Sequence, residues 1–599
     1  MTIRAIGGLA AFNVLVFAIG SSLLWGLGGW RWWTDLLRFA GVAYLLGVAA
    51  MMVVLTFELV IGVPLTLATA VSSGAALFLG GVGLGALRGR PRPTLPRQKW
   101  RVPAISLPVA LFVSAIVVFL EALFRAGRLA SIRLEWDGWA FWIPKAKAIY
   151  FFGELDPEFL SVAPTWTAAY PPGLPALHSL AFHAMGSADS VTLHLQYWFY
   201  AVGFVAAVVG LLSTLVRQVI LFPLLLVVLV TPSLLYQLVS VNADVPLAYL
   251  VAVAALLVVV WLEERQDWQL ASATVLLSGA ILTKREGILL AACVVLAGFA
   301  ASFTERRALW PRLTVAAVAA CAITLPWRVW STVEGLPSDG PTAGYLASFG
   351  RLERAWPAFE LVLRTFFDRD LWLVVPIVGG VALGLAVAAR AWRLSVFAGV
   401  FAGAACAAAA WAIWANTALS FTPDNADNPV VRLLGTPMLV LAVLTPLLLD
   451  AAWKGRADVP SRSPRAPSRV WDRLVECRRG AWAIVLAAAL VYPASALVGY
   501  SGQTLPGGLP RFPGAADCVR PPVSGRPVRL VIGYADSYPR AHVLRERALD
   551  AGLASTEVAQ DGCGRLRVFV DGLPSIAASR ALLAEATSLE PTVELDSDG

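Results

Sequence analysis

Charge is scarce in this chain. Only 14% of its 599 residues are charged, against 58% hydrophobic residues and a mean hydropathy of +0.71. That balance excludes an ordinary soluble globule, which carries roughly 25% charged residues and hides most of its large apolar side chains from water. Cysteine is scarce too, at six. Cys293, Cys321 and Cys406 lie inside apolar runs and Cys477 in a basic loop, so small buried or reduced thiols are expected there. No histidine stands in metal-ligand spacing with cysteine or carboxylate, and His178, His183 and His194 read as interfacial or packed side chains. The first apolar run has no small-residue cleavage site before Trp25 and the cluster of Trp30, Trp32 and Trp33. It is therefore expected to be a first span with an interfacial Trp belt, not a cleaved leader. No clear internal repeat is present.

What the chain has in abundance is apolar sequence in long runs. Runs of roughly 17 to 25 residues recur, each long enough to cross a ~30 Å hydrocarbon core as a helix. Lipid satisfies no backbone group, so helices are expected. They fall near 8–29, 36–57, 62–87, 104–125, 193–215, 219–238, 243–262, 268–284, 286–303, 312–330, 371–389, 394–415, 432–452 and 481–500. The expected fold is mainly α, a polytopic transmembrane bundle of about 13–14 spans.

The net charge of +8 collects in short loops. One holds Arg88, Arg90, Arg92, Arg97, Lys99 and Arg101; the other runs from Lys454 through Arg465 to Arg479. The positive-inside tendency places both in the cytoplasm. A nucleic-acid groove is the weaker reading, because both stretches are Pro-rich, lack interleaved aromatics and abut spans. Alternation from the first loop returns the second to the cytoplasm and leaves 126–192, 331–370 and 501–599 outside. Met1 would then also lie outside. The division expected is 1–103, N-terminal spans and basic loop; 104–330, a transmembrane core with the first outer loop 126–192; 331–500, an outer loop and further spans; and 501–599, a soluble domain.

In that last part, Arg529–Tyr534 reads as a strand, Tyr538–Gly552 as a helix, Ser555–Ala559 and Arg565–Val570 as strands, Ser575–Thr587 as a helix and Thr592–Leu595 as a strand. The order βαββαβ is the ferredoxin-like pattern, giving an extracytoplasmic α+β domain. Val531–Val570 also resembles SPOR-type repeats, which bind peptidoglycan glycan in other proteins. Cys518 and Cys563 would both lie in an oxidising compartment, where they either pair or stay as free thiols.

Several loops carry candidate chemistry. In the first outer loop, Trp136, Trp139, Ala140 and Ile143 fall at i, i+3, i+4 and i+7, the spacing of a face laid on a membrane surface. Pro144 favours a helix start and Gly153 a stop. Asp137 sits at this surface with Lys145 and Lys147 within about two turns. A carboxylate beside cations suits a general base facing an anionic lipid, and an ordinary amphipathic segment is the equal alternative. Tyr170-Pro171-Pro172 makes a rigid re-entry toward the next apolar run. Asp244, with Pro246 behind it, reads either as an N-cap or as a second carboxylate at the membrane surface. Lys284-Arg285-Glu286 makes a tight outward turn whose cations run against the positive-inside bias. It suits phosphate, or it is a salt-bridged, snorkelling turn. The stretch 422–429 with Arg432 could close over the site or bind a divalent ion, with a solvated turn as the alternative. Glu58 and Glu121 are embedded in apolar runs without evident partners.

This series in order, an acidic first loop, Tyr-Pro-Pro, Asp-x-Pro-Leu and Leu-Thr-Lys-x-x-Gly, resembles the bacterial GT-C glycosyltransferases of the protein mannosyltransferase and lipid A aminoarabinose transferase type. The resemblance covers roughly residues 104 to 305. It implies a polyprenyl-phosphate sugar donor, a cell-envelope glycan, lipid or protein acceptor, and a multi-pass location in the bacterial plasma membrane. It implies Asp137 as base and Asp244 as a substrate-binding carboxylate, with Lys284 and Arg285 on the phosphate; Lys145, Lys147 and Tyr170 are further donor-binding candidates from their places in the loop. The chain has Asp137-Gly138 where many relatives have paired acids, and about three extra spans before the first loop. No metal site is assigned. A divalent cation, a transporter or flippase of a lipid-linked intermediate, and a non-enzymatic envelope scaffold stay open as alternatives.

Overall fold

The computed structural model describes residues 3–94, 106–128, 138, 142–157, 160, 168–238, 241–336, 347–416, 423–457, 528–535, 538–553, 555–561, 565–573, 582 and 594–596. The chain is mainly helical. In order come α1 (Ile3–Leu27), α2 (Trp33–Arg38), α3 (Ala40–Val60), α4 (Leu67–Leu87), α5 (Leu107–Arg128), α6 (Ile143–Phe152), α7 (Gly173–Met185), α8 (Ser190–Leu212), α9 (Gln218–Leu229) and α10 (Pro232–Leu238). There follow α11 (Asp244–Glu264), α12 (Asp267–Thr283), α13 (Gly287–Ala301), α14 (Arg306–Val333), α15 (Ala355–Phe366), α16 (Arg369–Trp372), α17 (Val375–Ala388), α18 (Trp392–Ala415) and α19 (Pro423–Ala457).

Among the described residues nine helices are long and apolar enough to cross a membrane. Each expected span up to 432–452 falls on a helix, and 481–500 lies outside the described residues. Four of the expected spans fall short of a full straight crossing. Residues 219–238 form two helices, α9 and α10, meeting at 63°; Thr231-Pro232 supplies the break, since proline removes a donor and clashes with the preceding turn. The helices α12, α13 and α17 hold 17, 15 and 14 residues.

The packing follows from which helices are apolar all round. The span window of α11 is wholly buried, and the helix packs on α12, α19 and α13. The helix α3 packs on α1, α8 and α12. Where polar side chains enter this interior they satisfy one another, as a low-dielectric core requires. The Tyr44 hydroxyl donates to Asn13 Oδ1 (2.7 Å), Asn13 Nδ2 to Gln196 Oε1 (2.8 Å) and Gln196 Nε2 to the Tyr44 hydroxyl (2.9 Å). Glu121 is paired with Arg125 one turn on (3.0 Å), and Glu58 accepts from Ser73.

Contacts between helix ends sort the loops into two sets. At one end Arg90 Nη2 reaches the Leu27 carbonyl, Arg38 Nε the Gly210 carbonyl, Arg217 and Lys454 flank Asp450, and Arg265 and Arg393 share Glu305. This basic end gathers Arg88, Arg90 and Arg92, Arg306 and Arg307, and Lys454. The opposite end gathers the start of α1, the α3–α4 turn, α6, the start of α11 and the α12–α13 turn. There Leu65 N–H donates to the Gly153 carbonyl (2.6 Å). The short α2 lies at the basic end, so α1, α3, α4 and α5 alternate without a re-entrant element.

The C-terminal residues form β1 (Val528–Ala535), α20 (Tyr538–Asp550), β2 (Thr556–Asp561), β3 (Arg565–Leu573) and β4 (Glu594–Asp596). The sheet is antiparallel in the order β2-β3-β1-β4. Alternation puts Leu530, Ile532, Val568 and Val570 on one face, where they bury against Ala541 and Ala548 of α20. The expected helix at 575–587, apart from Leu582, and both Cys518 and Cys563 lie outside the described residues.

Candidate functional site

The start of α11 and the α12–α13 turn meet at the end opposite the basic loops. Asp244 is the first residue of α11, and Ala243, not Asp244, holds the cap position without a side-chain hydrogen bond. The Asp244 carboxylate points sideways. Its Oδ1 accepts from Lys284 Nζ at 2.7 Å, and its Oδ2 accepts from Arg432 Nε at 3.0 Å and Nη2 at 2.8 Å. Lys284 Nζ also lies 3.4 Å from Glu286 Oε1. The Asp244 and Lys284 side chains are 5% and 7% exposed, so this is a buried clamp joining three parts of the chain. Burial by itself would push the Lys284 ammonium down, but Asp244 and Glu286 outweigh it and hold the group above its ordinary range. Lys284 is thus the centre of a salt-bridged turn.

Arg285 and Tyr170 meet beside this clamp. The Arg285 guanidinium lies 5.9 Å from the centroid of the Tyr170 ring, in cation–π range, and that ring stacks on Trp142 (5.8 Å, 15°). The Pro171-Pro172 pair positions Tyr170 by leading directly into α7. Gly173 opens that helix because nothing larger fits: an added Cβ would stand 2.6 Å from the Leu282 carbonyl. The start of α7 is therefore drawn against the end of α12.

The helix α6 starts with Pro144 in its first turn and ends at Gly153 in the left-handed region (φ 76°), as its punctuation predicts. Lys145 and Lys147 point inward and are fully buried. Lys145 Nζ donates to the Ala168 carbonyl (3.5 Å), and burial pulls its pKa down to about 7. Burial also lowers Lys147, which Asp189 partly offsets. Neither side chain faces open water as a free cation.

Asp137 lies outside the described residues. Its chain neighbour Gly138 is described, and an added Cβ there would come within 3.4 Å of the Val241 carbonyl and 3.6 Å of Asn242 Oδ1. Gly138 is thereby packed against the turn that delivers Asp244. The carboxylates of 424–427 and the divalent-ion reading of that stretch are also outside the described side chains. Among the described residues no group of three or more metal-ligating side chains occurs.

Two participants come from distant parts of the chain, and the sequence singles out the first of them only for its place beside the 422–429 stretch. Arg432, 188 residues from Asp244, supplies the second half of the clamp. Arg328, half-buried near the same end of α14, stands close enough to Arg285 for the two cations to repel. Its one signal in the sequence is position, a lone cation in the apolar stretch 314–333. His178 packs against Tyr197 (6.1 Å between rings), and burial lowers its pKa to about 3, which keeps the imidazole neutral. Tyr197 in turn donates to the Asn242 carbonyl (2.8 Å).

A guanidinium over an aromatic ring, with a second arginine near the same end, is an arrangement that suits an anion through charge-assisted hydrogen bonds. The clamp beneath holds the turn that presents Arg285. No family model, curated protein or solved structure matches the chain.

Proposed function

We propose that the chain is a membrane glycosyltransferase that moves a sugar from a polyprenyl-phosphate donor to a cell-envelope acceptor at the end of the bundle carrying Asp244. The observation that supports this reading best is Arg285 held over the Tyr170 ring on a turn anchored by the Lys284–Asp244–Arg432 clamp, with Arg328 half-buried near the same end of α14. In this reading the arginines hold the donor phosphate. Asp137, whose chain neighbour Gly138 packs against the Val241–Asn242 turn, is assigned to take the proton of the acceptor hydroxyl. The acceptor oxygen forms its bond to the anomeric carbon as the carbon–oxygen bond to phosphate breaks, and the lipid phosphate leaves as an anion stabilised by the arginines. Asp244 serves as a positioning residue, because both its oxygens are already held.

The same reading sets the basic end in the cytoplasm of a bacterial plasma membrane and the site end outside it. The C-terminal α+β unit is then an extracytoplasmic ferredoxin-like domain with an affinity for envelope glycan, and deleting 505–599 without loss of transfer would separate it from catalysis.

The test is sugar transfer from a polyprenyl-phosphate donor in reconstituted membranes. Asp137→Asn abolishes transfer while expression and folding persist; full activity in that variant removes Asp137 from the mechanism. A second reading, a flippase of a lipid-linked intermediate, draws on the 63° break between α9 and α10, since broken helices are common in transporters. Labelled donor that changes leaflets in liposomes with no acceptor turnover would favour it.

A further inference from the structure

The basic end, opposite Asp244, contains a cleft of about 800 Å³ among the ends of α11, α13, α18 and α19. Its walls are apolar, with Val259, Ala300, Phe397 and Leu447, and exposed Phe303 and Trp392 stand at its mouth (56% and 58%). Aromatics placed like this mark the membrane–water boundary.

The cations on the rim differ in what they have left to offer. Arg393 donates to the Leu262 carbonyl (3.0 Å) and pairs with Glu263 and Glu305. Lys454 is bound to Asp450 (2.7 Å) and the Leu215 carbonyl (3.1 Å). Arg390 is exposed, and its side chain makes no hydrogen bond or ion pair among the described residues. It also occupies a costly position. Its φ of 62° is left-handed, just past the end of α17, where glycine is the usual residue. Helix termination alone does not call for arginine there.

We infer that this cleft is a binding site for a membrane phospholipid, with the phosphate on Arg390 and the upper acyl chain along the apolar walls. A free anion would gain nothing from those walls, and a hydrocarbon nothing from Arg390; a phospholipid matches both. Basic pockets between spans suit anionic headgroups of the leaflet they face. The cleft is at the far end of the spans from Arg285, so its occupant is separate from any donor at that site, and the inference stands without the transferase reading.

The experiment uses the full chain, delipidated in mild detergent and titrated with phosphatidylglycerol, diacylglycerol or inorganic phosphate. Retained lipid is counted by native mass spectrometry alongside the unfolding temperature. Phosphatidylglycerol is retained and raises the unfolding temperature, as a ligand of the folded state must; the other two do neither at the same concentration. Arg390→Gly removes the cation and relieves the backbone, so a purely structural role predicts higher stability and unchanged lipid. Lipid binding at Arg390 predicts about ten-fold weaker retention, the scale of one charge-assisted contact. Ala300→Trp, which fills the wall and leaves every charge in place, lowers retention too. Undiminished retention in both variants overturns the site. Equal protection by inorganic phosphate overturns the lipid, and equal protection by diacylglycerol overturns the role of Arg390.

Discussion

The two ends of the bundle use the same residue types to opposite effect. At the basic end Arg312 pairs with Asp267 while 54% and 83% exposed, and Arg393 with Glu263 while 28% and 63% exposed. Such pairs are screened by water and salt, and each contributes little. At the site end Asp244 and Lys284 are 5% and 7% exposed. There desolvation is large and only complete pairing offsets it. Apart from Asp450, which is 4% exposed between Arg217 and Lys454, charge at the basic end decorates a surface; at the other end it dictates where three segments of chain must meet.

The largest expected effect comes from breaking that clamp. Asp244→Ala takes the shared partner from buried Lys284 and half-buried Arg432, a loss of about 3–5 kcal/mol. Thermal unfolding in detergent would show it as a steep fall in midpoint and in yield. Adding Lys284→Met to Asp244→Asn should return part of the loss, because the surplus cation goes with the anion. If Asp244→Ala proves as mild as an exposed substitution, the two ends do not differ in the way burial says.

Next come Arg285→Ala and Arg328→Ala. Removal of either guanidinium costs about 1.5–3 kcal/mol of transition-state stabilisation, or roughly ten- to hundred-fold in kcat/KM for transfer from a polyprenyl-phosphate donor. Stability should fall by no more than about 1 kcal/mol, the scale of one exposed cation–π contact. Steady-state kinetics beside a melting curve separates the two, and loss of stability without loss of transfer would return both arginines to a structural role.

How much of this was visible beforehand differs between the two ends as well. Hydropathy located the helices, because the amount of apolar sequence is a local quantity. Positive charge located the basic end for the same reason. Asp244 was visible as a carboxylate at a helix start, but its two readings, cap or membrane-surface carboxylate, were indistinguishable, because which way a side chain turns depends on a partner 188 residues away. The Lys284-Arg285 pair looked like one phosphate grip. In the fold these neighbours divide: Lys284 turns inward to Asp244 and Arg285 outward to Tyr170. Adjacent residues in a tight turn point apart, and no spacing rule says which of them goes inside. The break at Thr231-Pro232 was legible in principle, but a continuous apolar run masked it.

A smaller effect concerns Lys145, buried where its ammonium is poorly solvated. Its folded pKa of about 7 is below its ordinary 10.5. Between those values the unfolded chain holds a proton that the folded chain gives up, so this group makes stability rise with pH above 7. The penalty is complete below pH 7 and gone above the ordinary value. Between pH 7 and 8.5 the gain is about 1.5 kcal/mol. Lys145→Met should flatten that slope, and melting curves of parent and variant at the two pH values would show it. Parallel curves would mean that Lys145 keeps its proton through contacts within the first outer loop.

The smallest effect is expected at the basic end. Arg312→Ala and Asp267→Ala should each change stability by less than about 0.5 kcal/mol, and their double-mutant coupling should fade in high salt. Asp267 lies in the first turn of α12, where a negative charge also favours the helix dipole. The aspartate should therefore cost slightly more than its arginine partner even though the pair is shared. Equal losses would assign the whole effect to the ion pair; a larger loss for Asp267 than for Arg312 would assign the difference to the helix terminus. In either case the value stays an order of magnitude below the Asp244 clamp, because water reaches one carboxylate and not the other.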